Sequence, residues 1–548
     1  MQGIMMDQPL LISDLIMRAD RHHGDTEIVS RTVGGQLHRY TYADAHRRAR
    51  KLARALGRLG VKQGERVATL AWNGYRHFEC YYAVSGMGAV IHTINPRLFP
   101  DQIAWIANDA EDGLLFFDAT FIPLVQQLAP RLPGVRGYVL MAARADMPAA
   151  SGIPGLMCYE DLIEAEDDAF DWPRLDERTA SGLCYTSGTT GHPKGVLYSH
   201  RSTLMHALLT ALPDQMSLSS LDVVMPVVPM FHVNAWGLPY SCALTGAKLV
   251  LPGPHLDGRS LHELIEAEAV SLSAGVPTVW GGLLDFLDVQ KKRVSNPLRI
   301  IIGGSAVAPA MMRRFADSYG VRVLHAWGMT ELSPIGTMGI LKSKHAALDE
   351  PARQALLAKQ GRPHFGIEMK IVDGNGAELP HDGKAFGDLL VRGPIVLSGY
   401  FKGAGGSILR DGWFPTGDVA TLDADCFMQI TDRSKDVIKS GGEWISSIDL
   451  ENIAVAHPDI AEAAVIGVAH PKWDERPLLV AVKKASAAVT EAEMLAFYEG
   501  KVARWWRPDA VLFVNELPHT ATGKLFKLAL REQLKDFVFA KEAGEGGA

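Results

Sequence analysis

Three observations predict an α/β protein with a large N-terminal domain of stacked sheets, a small β-rich subdomain and a small α+β C-terminal domain. The chain has 548 residues, more than the ~250–300 that one hydrophobic core supports. Short apolar runs alternate with helical patterns through the long N-terminal part, as in layers of parallel strands and helices. After about residue 365 short strands and turns follow, and after residue 433 a compact α+β pattern begins.

Composition and charge restrict the possible functions. Hydrophobic residues make up 47 % and charged residues 21 % of the chain, which is a globular balance. The net charge of −7 and the isoelectric point near 6.3 argue against a constitutive nucleic-acid binder. The five cysteines form no CxxC pair, so neither a disulfide framework nor a thiolate zinc site is expected, and a reducing cytoplasm fits best.

The N-terminal region shows helical and strand patterns rather than a signal peptide. Residues 1–7 lack a basic start and a long apolar run. Thr41 is placed as the N-cap of a helix that continues to about Gly60, where the glycine is a stop signal. Short buried strands are then expected at 113–117, 136–141, 248–251 and 299–304.

One uncharged segment leaves two interpretations open. No formal charge occurs between Asp222 and Lys248, a length that would span a bilayer. The alternative is a buried strand, a loop and a second buried segment. Three prolines, His232 and Asn234 interrupt the run and favour this alternative. A transmembrane segment is therefore not expected.

The C-terminal third has a different character. Turn-rich segments at 372–376, 390–393 and 411–414 predict the small β-rich subdomain. Two strands at 463–468 and 478–482 flank a polar loop, and Thr490 with Glu493 forms a capping box that opens a helix. We place a domain boundary near Arg433, which gives an N-terminal domain of residues 1–433 and a C-terminal domain of residues 434–548.

The segment 185–195 (YTSGTTGHPKG) is the most informative part of the sequence. Its three glycines let backbone N–H groups approach an anion closely, and its hydroxyls and Lys194 add donors for phosphate oxygens. It is not a Walker loop, because no GxxxxGK[ST] spacing fits. Composition alone leaves an ordinary Ser/Thr/Gly surface loop as an equal interpretation.

This segment resembles the signature loop of the acyl-adenylate-forming superfamily, which includes acyl-CoA synthetases, luciferases and nonribosomal adenylation domains. Further motifs of that superfamily follow in order, at residues 325–331 (HAWGMTE), 416–418 (TGD), 432–439 (DRSKDVIK) and 522–524 (TGK). The resemblance covers essentially the whole chain. Segments 227–236 and 472–477 are similar to fatty-acyl and medium-chain acyl-CoA synthetases, near the bacterial 3-methylmercaptopropionyl-CoA ligases.

The resemblance implies a reaction in two halves. A carboxylate attacks the α-phosphate of ATP to give acyl-AMP and pyrophosphate, and the thiol of CoA then attacks the acyl-AMP. Since both nucleophiles belong to substrates, the enzyme supplies positioning and electrostatics, which fits the absence of a GxSxG elbow. Two alternatives use the same adenylate: an adenylation module that loads a carrier protein, and a luciferase-like oxygenase.

Catalytic roles are implied for three residues. Lys524 resembles the lysine that bridges carboxylate and α-phosphate during adenylation, where a cation stabilises the transition-state charge. Glu331 is expected to hold Mg²⁺ with Thr186 as a neighbour, because Mg²⁺ prefers oxygen ligands. His232 would form a gate between ATP and the acyl pocket.

The resemblance also implies the binding residues. Those for ATP and AMP are Thr186, Ser187, Gly188, Thr189, Thr190, Lys194, Gly304, Ser305, Ala306, His325, Ala326, Trp327, Gly328, Met329, Thr330, Asp418, Arg433, Lys435 and Lys524. Those for the acyl group are His232, Trp236, Gly303, Trp327 and Pro334. Those for CoA are Lys439, Ser440, Gly441, Gly442, Glu443 and Trp444.

Each of these residue types also has an ordinary structural interpretation. A lysine such as Lys524 is usually solvated, Glu331 is also placed to cap a helix, and Asp418 in a Gly-Asp turn is often structural. His232 in an apolar run is usually a core histidine. The ring of Trp327 can pack on adenine or against the acyl group.

The implied partners are a carboxylic acid, ATP and CoA, with Mg²⁺. Lys435 resembles a hinge about which a mobile C-terminal domain alternates between two arrangements, one bringing Lys524 to ATP and one presenting residues 439–443 to CoA. Relatives often form homodimers, and we expect the same here.

Overall fold

The computed structural model describes residues 1, 3–186, 192–440, 443–485, 487–519 and 525–539. Its helices are α1 (Ile12–His23), α2 (Tyr42–Arg58), α3 (Tyr75–Gly86), α4 (Pro100–Ala110), α5 (Ile122–Leu128), α6 (Tyr159–Glu164), α7 (His200–Ala211), α8 (Leu238–Thr245), α9 (Gly258–Ala267), α10 (Pro277–Gln290), α11 (Pro309–Tyr319), α12 (Glu350–Ala358), α13 (Ser447–Val455), α14 (Glu491–Phe497) and α15 (Lys527–Gln533). Its strands are β1 (Glu27–Arg31), β2 (Leu37–Thr41), β3 (Arg66–Leu70), β4 (Val90–Thr93), β5 (Asp112–Phe117), β6 (Gly137–Leu140), β7 (Leu156–Cys158), β8 (Ala180–Tyr185), β9 (Gly195–Ser199), β10 (Val223–Pro226), β11 (Lys248–Leu251), β12 (Leu272–Gly275), β13 (Arg299–Ile302), β14 (Arg322–Gly328), β15 (Ile335–Met338), β16 (Arg362–Pro363), β17 (Glu368–Val372), β18 (Phe386–Arg392), β19 (Phe414–Leu422), β20 (Met428–Arg433), β21 (Ile438–Ser440), β22 (Glu443–Ile445), β23 (Ile460–His470), β24 (Asp474–Lys483) and β25 (Ala510–Val514).

Two large sheets form the N-terminal domain. The first has the strand order β7-β6-β5-β3-β4-β8-β9 and the second β16-β15-β14-β13-β12-β10-β11-β1-β2. Most neighbours are parallel, and the antiparallel pairs lie at the edges, as in β8 with β9 and β14 with β15. This arrangement confirms the predicted α/β class with stacked sheets.

The main core lies between these sheets. Side chains of α1, α2, α3, α7 and α8 pack there against residues of both sheets, such as Phe116 and Leu272. The spacing of Ala45, Ala49 and Leu52 gives α2 one apolar face, and these residues are buried. Separate clusters cover the outer faces, with α9, α10 and α11 on one sheet and α4 and α5 on the other.

Several local predictions are confirmed. Thr41 is the N-cap of α2 and forms a capping box with Asp44. The expected apolar strands correspond to β5, β6, β11 and β13, and Thr490 with Glu493 caps α14. The uncharged segment forms β10, a tight turn at 233–237 and α8. Within the described residues no helix is long and apolar enough to cross a membrane.

Two smaller sheets complete the fold. The β-rich subdomain is the antiparallel sheet β17-β18-β19-β20, which packs on β8, β9 and Trp327. The C-terminal sheet has the order β22-β21-β24-β23, with β25 parallel to β24. The proposed boundary after Arg433 lies between the last strand of one sheet and the first strand of the other, and as a limit of independent domains it stays a prediction.

An ionic cluster joins the two sides of this boundary. The Lys527 Nζ donates to Glu451 Oε1 at 2.6 Å and to Ser447 Oγ at 2.5 Å. The Ser447 N–H donates to Asp432 Oδ2 at 2.7 Å. Burial alone would lower the pKa of Lys527, but the carboxylates of Glu451 and Asp432 outweigh it and raise this pKa. The cluster therefore depends on a charged lysine.

Replacing this lysine should destabilise the protein. We expect Lys527→Met to lower the free energy of unfolding by about 3 kcal/mol, because it leaves the nearly buried Glu451 carboxylate without its cation. Urea unfolding measures the change, and adding Glu451→Gln to the variant should recover part of it. The matched control is Lys535→Met, which removes an exposed pair with Glu532 and should cost below about 0.5 kcal/mol. Equal effects of Lys527→Met and Lys535→Met would contradict a structural role for the cluster.

Candidate active site

The stems of the glycine-rich loop lie at the edge of the first sheet. Strands β8 and β9 pair antiparallel on either side of it. The Thr186 N–H donates to the Lys194 carbonyl at 2.9 Å, and the Lys194 N–H donates to Thr186 Oγ1 at 3.4 Å. These bonds close the neck of the loop, so Thr186 and Lys194 face each other. The expected phosphate contacts Ser187, Gly188, Thr189 and Thr190 lie outside the described residues.

Tyr400 connects this neck to Glu331. Its hydroxyl donates to Glu331 Oε1 at 2.7 Å, and the Lys194 ammonium lies 5.0 Å from the centre of its ring. Burial, then the neighbouring Glu331 carboxylate, raises the pKa of Tyr400, so the phenol stays protonated as a donor. The structure thus brings together two predicted residues through one that sequence reasoning missed. The only local signal was an aromatic hydroxyl in a turn between glycines.

Glu331 itself is buried and held through its backbone as well. The Glu331 carbonyl accepts a hydrogen bond from Leu397 N–H at 2.8 Å. The residue as a whole is only 7 % exposed to solvent. The preceding Thr330 carbonyl accepts the Tyr198 hydroxyl at 2.7 Å. The carboxylate is therefore fixed in position rather than solvated like a simple helix cap.

Trp327 and Asp418 meet between the second sheet and the subdomain. The indole Nε1–H of Trp327 donates to Asp418 Oδ2 at 2.8 Å, and the Arg433 Nε lies 2.8 Å from Asp418 Oδ1. The aspartate is 1 % exposed and Arg433 is exposed. A carboxylate has about four acceptor positions, so both oxygens can accept further donors. The Trp327 ring packs with the subdomain cluster, whereas Trp236 belongs to the main core.

His325 presents one ring nitrogen as an acceptor. Its Nδ1 lies 2.8 Å from the carbonyl of Ala358, which can only accept, so Nδ1 carries the proton and Nε2 a lone pair. This Nε2 is buried and has no hydrogen-bond partner among the described residues. Burial lowers the pKa of His325 to about 4, so the ring is neutral at pH 7.

Two glycines near His325, Gly303 and Gly328, pack closely against neighbouring backbone. Strands β13 and β14 pair in parallel with Ile302 opposite His325, so residues 303–306 begin at the carboxyl end of that pair. A Cβ at Gly303 would lie 2.8 Å from the Ala326 carbonyl and 3.3 Å from the Trp236 indole. A Cβ at Gly328 would collide with the Pro334 carbonyl. A side chain at either glycine would therefore collide with neighbouring backbone, and the Trp236 indole packs directly against Gly303.

Trp236 belongs to a left-handed turn. Val233, Asn234, Ala235 and Trp236 all have φ between 50° and 55°, and Gly237 has 77°. Each non-glycine residue in that region costs about 1–2 kcal/mol. The surrounding structure holds the turn, since Asn234 Oδ1 accepts the Tyr81 hydroxyl at 3.3 Å and the Cys184 thiol at 3.6 Å.

His232 precedes the turn and lines a small cavity. The cavity measures about 20 Å³, room for about one water, and lies between residues 93–98 and the end of β8. Phe231 and Cys184 also line it. His232 is thus close to the base of the glycine-rich loop, because Tyr185 faces the same cavity.

Arg97 lies at the edge of this region and was missed by sequence reasoning. Its guanidinium lies 5.8 Å from the ring centres of both Trp72 and Phe231. No carboxylate among the described residues pairs with it, and burial lowers its pKa. An arginine after Asn-Pro carries no sequence signal of its own, since only the fold places it beside Trp72 and Phe231.

The expected hinge residue Lys435 and the expected CoA residues follow the proposed boundary at Arg433. Lys435 and Lys439 are exposed, and Ser440 is buried, with its Oγ accepting from Arg476 Nη1 at 3.1 Å. Glu443 and Trp444 belong to β22 and pair in backbone register with Ser440 and Lys439. Gly441, Gly442 and Lys524 lie outside the described residues.

Two protein-family models together match most of the chain. The family model described as AMP-binding enzyme matches residues 16–401, and that of the AMP-binding enzyme C-terminal domain matches residues 449–524. The chain is 56 % identical to a 3-methylmercaptopropionyl-CoA ligase of Ruegeria lacuscaerulensis, over 98 % of the chain and 99 % of that protein. It is 53 % identical to a medium-chain-fatty-acid–CoA ligase of Ectopseudomonas oleovorans, over 98 % of each.

Solved structures share the fold. An anthranilate CoA ligase in complex with anthranoyl-AMP aligns with a TM-score of 0.84 at 24 % identity, over 96 % of this chain and 98 % of that one. An o-succinylbenzoate CoA synthetase from Bacillus subtilis, bound to its acyl-adenylate, aligns with a TM-score of 0.78 at 22 % identity, over 99 % and 100 %.

The amide of Asn234 should be needed to hold the left-handed turn. We expect Asn234→Ala to lower the free energy of unfolding by about 1–3 kcal/mol, because the Cys184 thiol and the Tyr81 hydroxyl lose an acceptor inside the core. Thermal unfolding measures the change, with the exposed Asn375→Ala as the matched control. A melting temperature equal to that of the parent would show that the turn does not depend on this side chain.

Proposed function

The chain belongs to the AMP-binding enzyme family and is an ATP-dependent, AMP-forming acyl-CoA ligase; from this premise we propose that its acid is slender, aliphatic or thioether-containing, and of short to medium length. The main support for this proposal is the packing of the Trp236 indole against Gly303. This contact would limit the depth of an acyl pocket formed by Trp236 and Gly303, and the absence of a side chain at Gly303 would favour an unbranched chain. The names of the relatives, a 3-methylmercaptopropionyl-CoA ligase and a medium-chain-fatty-acid–CoA ligase, support the same size class.

The reaction has two steps. ATP first activates the acid as acyl-AMP, and CoA then accepts the acyl group. We propose that Lys524 approaches the acid carboxylate and the α-phosphate during the first step, where its charge stabilises the transition state. Lys194, held over the Tyr400 ring, would bind the outgoing phosphates. His232 and Pro334 would border the acyl group, with His232 as the gate toward ATP.

We propose that the nucleotide lies between the ends of β13 and β14 and the subdomain. The exocyclic amine of adenine would donate to His325 Nε2, which is the unpartnered acceptor beside residues 303–306. The ribose hydroxyls would donate to Asp418, with Arg433 near the ribose or phosphate. The expected contacts of Gly304, Ser305, Ala306, Ala326, Gly328, Met329 and Thr330 run along the same strand ends.

Magnesium would join the nucleotide at Glu331. No group of three metal-ligating side chains occurs among the described residues. A single fixed carboxylate, the Thr186 hydroxyl and phosphate oxygens nevertheless fit Mg²⁺, which usually keeps several waters and takes few protein ligands. When bound, the ion would neutralise phosphate charge, while Tyr400 orients the Glu331 carboxylate by its hydrogen bond.

The second step would use the other side of the boundary. We propose that rotation about Lys435 presents Lys439, Ser440, Gly441, Gly442, Glu443 and Trp444 to CoA. The ionic cluster of Lys527 with Glu451 and Asp432 would hold one of the two arrangements. We also propose that the protein is cytoplasmic and forms a homodimer. Sedimentation velocity measures its oligomeric state.

A panel of acids tests the substrate class. CoA-dependent AMP release should be fastest with 3-methylmercaptopropionate and acids of about four to eight carbons. Trp236→Ala should move the optimum to longer acids, because each further buried methylene is worth about 0.8 kcal/mol. The exposed Trp473→Ala serves as control and should keep the parent profile. A parent that prefers palmitate or benzoate would refute the proposal.

A second experiment tests the adenine contact. We expect His325→Phe to lower kcat/KM for ATP about 2- to 10-fold, the effect of one lost hydrogen bond, and to leave GTP less affected. The reason is that the oxygen of guanine at the same position is an acceptor and faces the His325 lone pair. Pyrophosphate release with each nucleotide measures the ratio, and an unchanged ATP-to-GTP preference would remove His325 from the site.

A further inference from the structure

Helix α4 makes two contacts with the glycine-rich loop, one at each end. The imidazole of His192 stacks on the indole of Trp105, with ring centres 4.5 Å apart and planes within 9°. The hydroxyl of Tyr185 donates to Asp109 Oδ2 at 2.5 Å. Tyr185 is the first residue of the segment 185–195 and His192 lies in its second half, so α4 is contacted from both sides of the loop.

The two contacts share one face of α4. Trp105 and Asp109 are four residues apart, and side chains at that spacing lie above one another on a helix. The Tyr185 ring also meets the Trp105 ring edge-on at 6.2 Å and 89°. Trp105, Asp109, Tyr185 and His192 therefore form one contiguous group, which we call the loop clamp.

Packing and hydrogen bonds hold both α4 and Tyr185 in place. The opposite face of α4 is buried in the cluster that covers the first sheet, through Ile103, Ile106 and Ala107. Burial, then the Asp109 carboxylate, raises the pKa of Tyr185, so its phenol remains a donor. The Lys402 Nζ donates to the Asp109 carbonyl at 2.7 Å, which ties the end of α4 to the turn that carries Tyr400.

We propose that the loop clamp positions Thr186 and Lys194, the described residues at the neck of the glycine-rich loop, for the triphosphate of ATP, with His192 and Trp105 as positioning residues. This inference rests on the proposed role of the loop in phosphate binding. Side chains and backbone groups that are already held in place lose less conformational entropy when they bind a ligand. The clamp should therefore strengthen ATP binding and adenylation without touching the acyl group or CoA.

The stack predicts a specific kinetic pattern. Trp105→Ala and His192→Ala should each raise KM for ATP about 2- to 10-fold, which is the effect of one aromatic pair. The double variant should raise KM for ATP no further than the single variant with the higher KM, because both substitutions remove the same contact. His192→Phe keeps a ring to stack and should restore the parent KM. Thioester formation from supplied acyl-AMP and CoA should stay at the parent rate in all of them.

Pyrophosphate release at varied ATP, with saturating acid, measures these values. The matched control is His457→Ala, which removes another aromatic contact, 4.8 Å from Phe497, in the C-terminal domain. Since His192 is exposed, its variants keep the test intact if Trp105→Ala fails to fold. Additive losses in the double variant, a parent KM in His192→Ala, or equal loss of the acyl-AMP reaction would each overturn the clamp.

One comparison separates the clamp from the role of the loop itself. If Lys194→Ala raises KM for ATP while His192→Ala does not, the loop binds phosphate and the clamp is wrong. If neither variant changes KM for ATP, the proposed role of the loop fails, and the clamp fails with it.

Discussion

One buried carboxylate ties together the parts of the molecule that must cooperate. Asp418 belongs to the subdomain, accepts the indole N–H of Trp327 from the second large sheet, and pairs with Arg433 at the domain boundary. Burying a charge is costly unless donors surround it, so these contacts must form together. The strand ends that carry the proposed nucleotide contacts are thereby held at one fixed separation, on which the geometry of His325, Gly303 and Glu331 depends.

Much of the fold could be read from local patterns. The cap at Thr41, the apolar runs of β5 and β13 and the capping box at Thr490 are each determined by a few neighbouring residues, and the structure confirms them. The family followed from ordered motifs spread over the chain. Among the sites, Thr186 and Lys194 were predicted as partners of one loop, and the hydrogen bonds between them are local.

The remaining features depend on contacts between distant parts of the chain. Tyr400 meets Glu331 across 69 residues, and Lys402 meets Asp109 across 293. No periodicity or cap signals such a pairing before the sheets are assembled. The left-handed turn was equally hidden, because Val233, Ala235 and Trp236 are residue types that normally avoid positive φ. The resemblance named Trp236 for the acyl pocket, but only the packed core explains its backbone.

At the left-handed turn, selection for folding stability and selection for substrate selectivity would favour different residues. Glycine is the residue that relieves torsional strain at these positions, so a change such as Ala235→Gly would tend to favour folding. The same change would free the backbone that holds the Trp236 indole against Gly303. A lineage under pressure for thermal robustness would therefore drift toward a looser substrate range, and one under pressure for selectivity would retain the strained backbone.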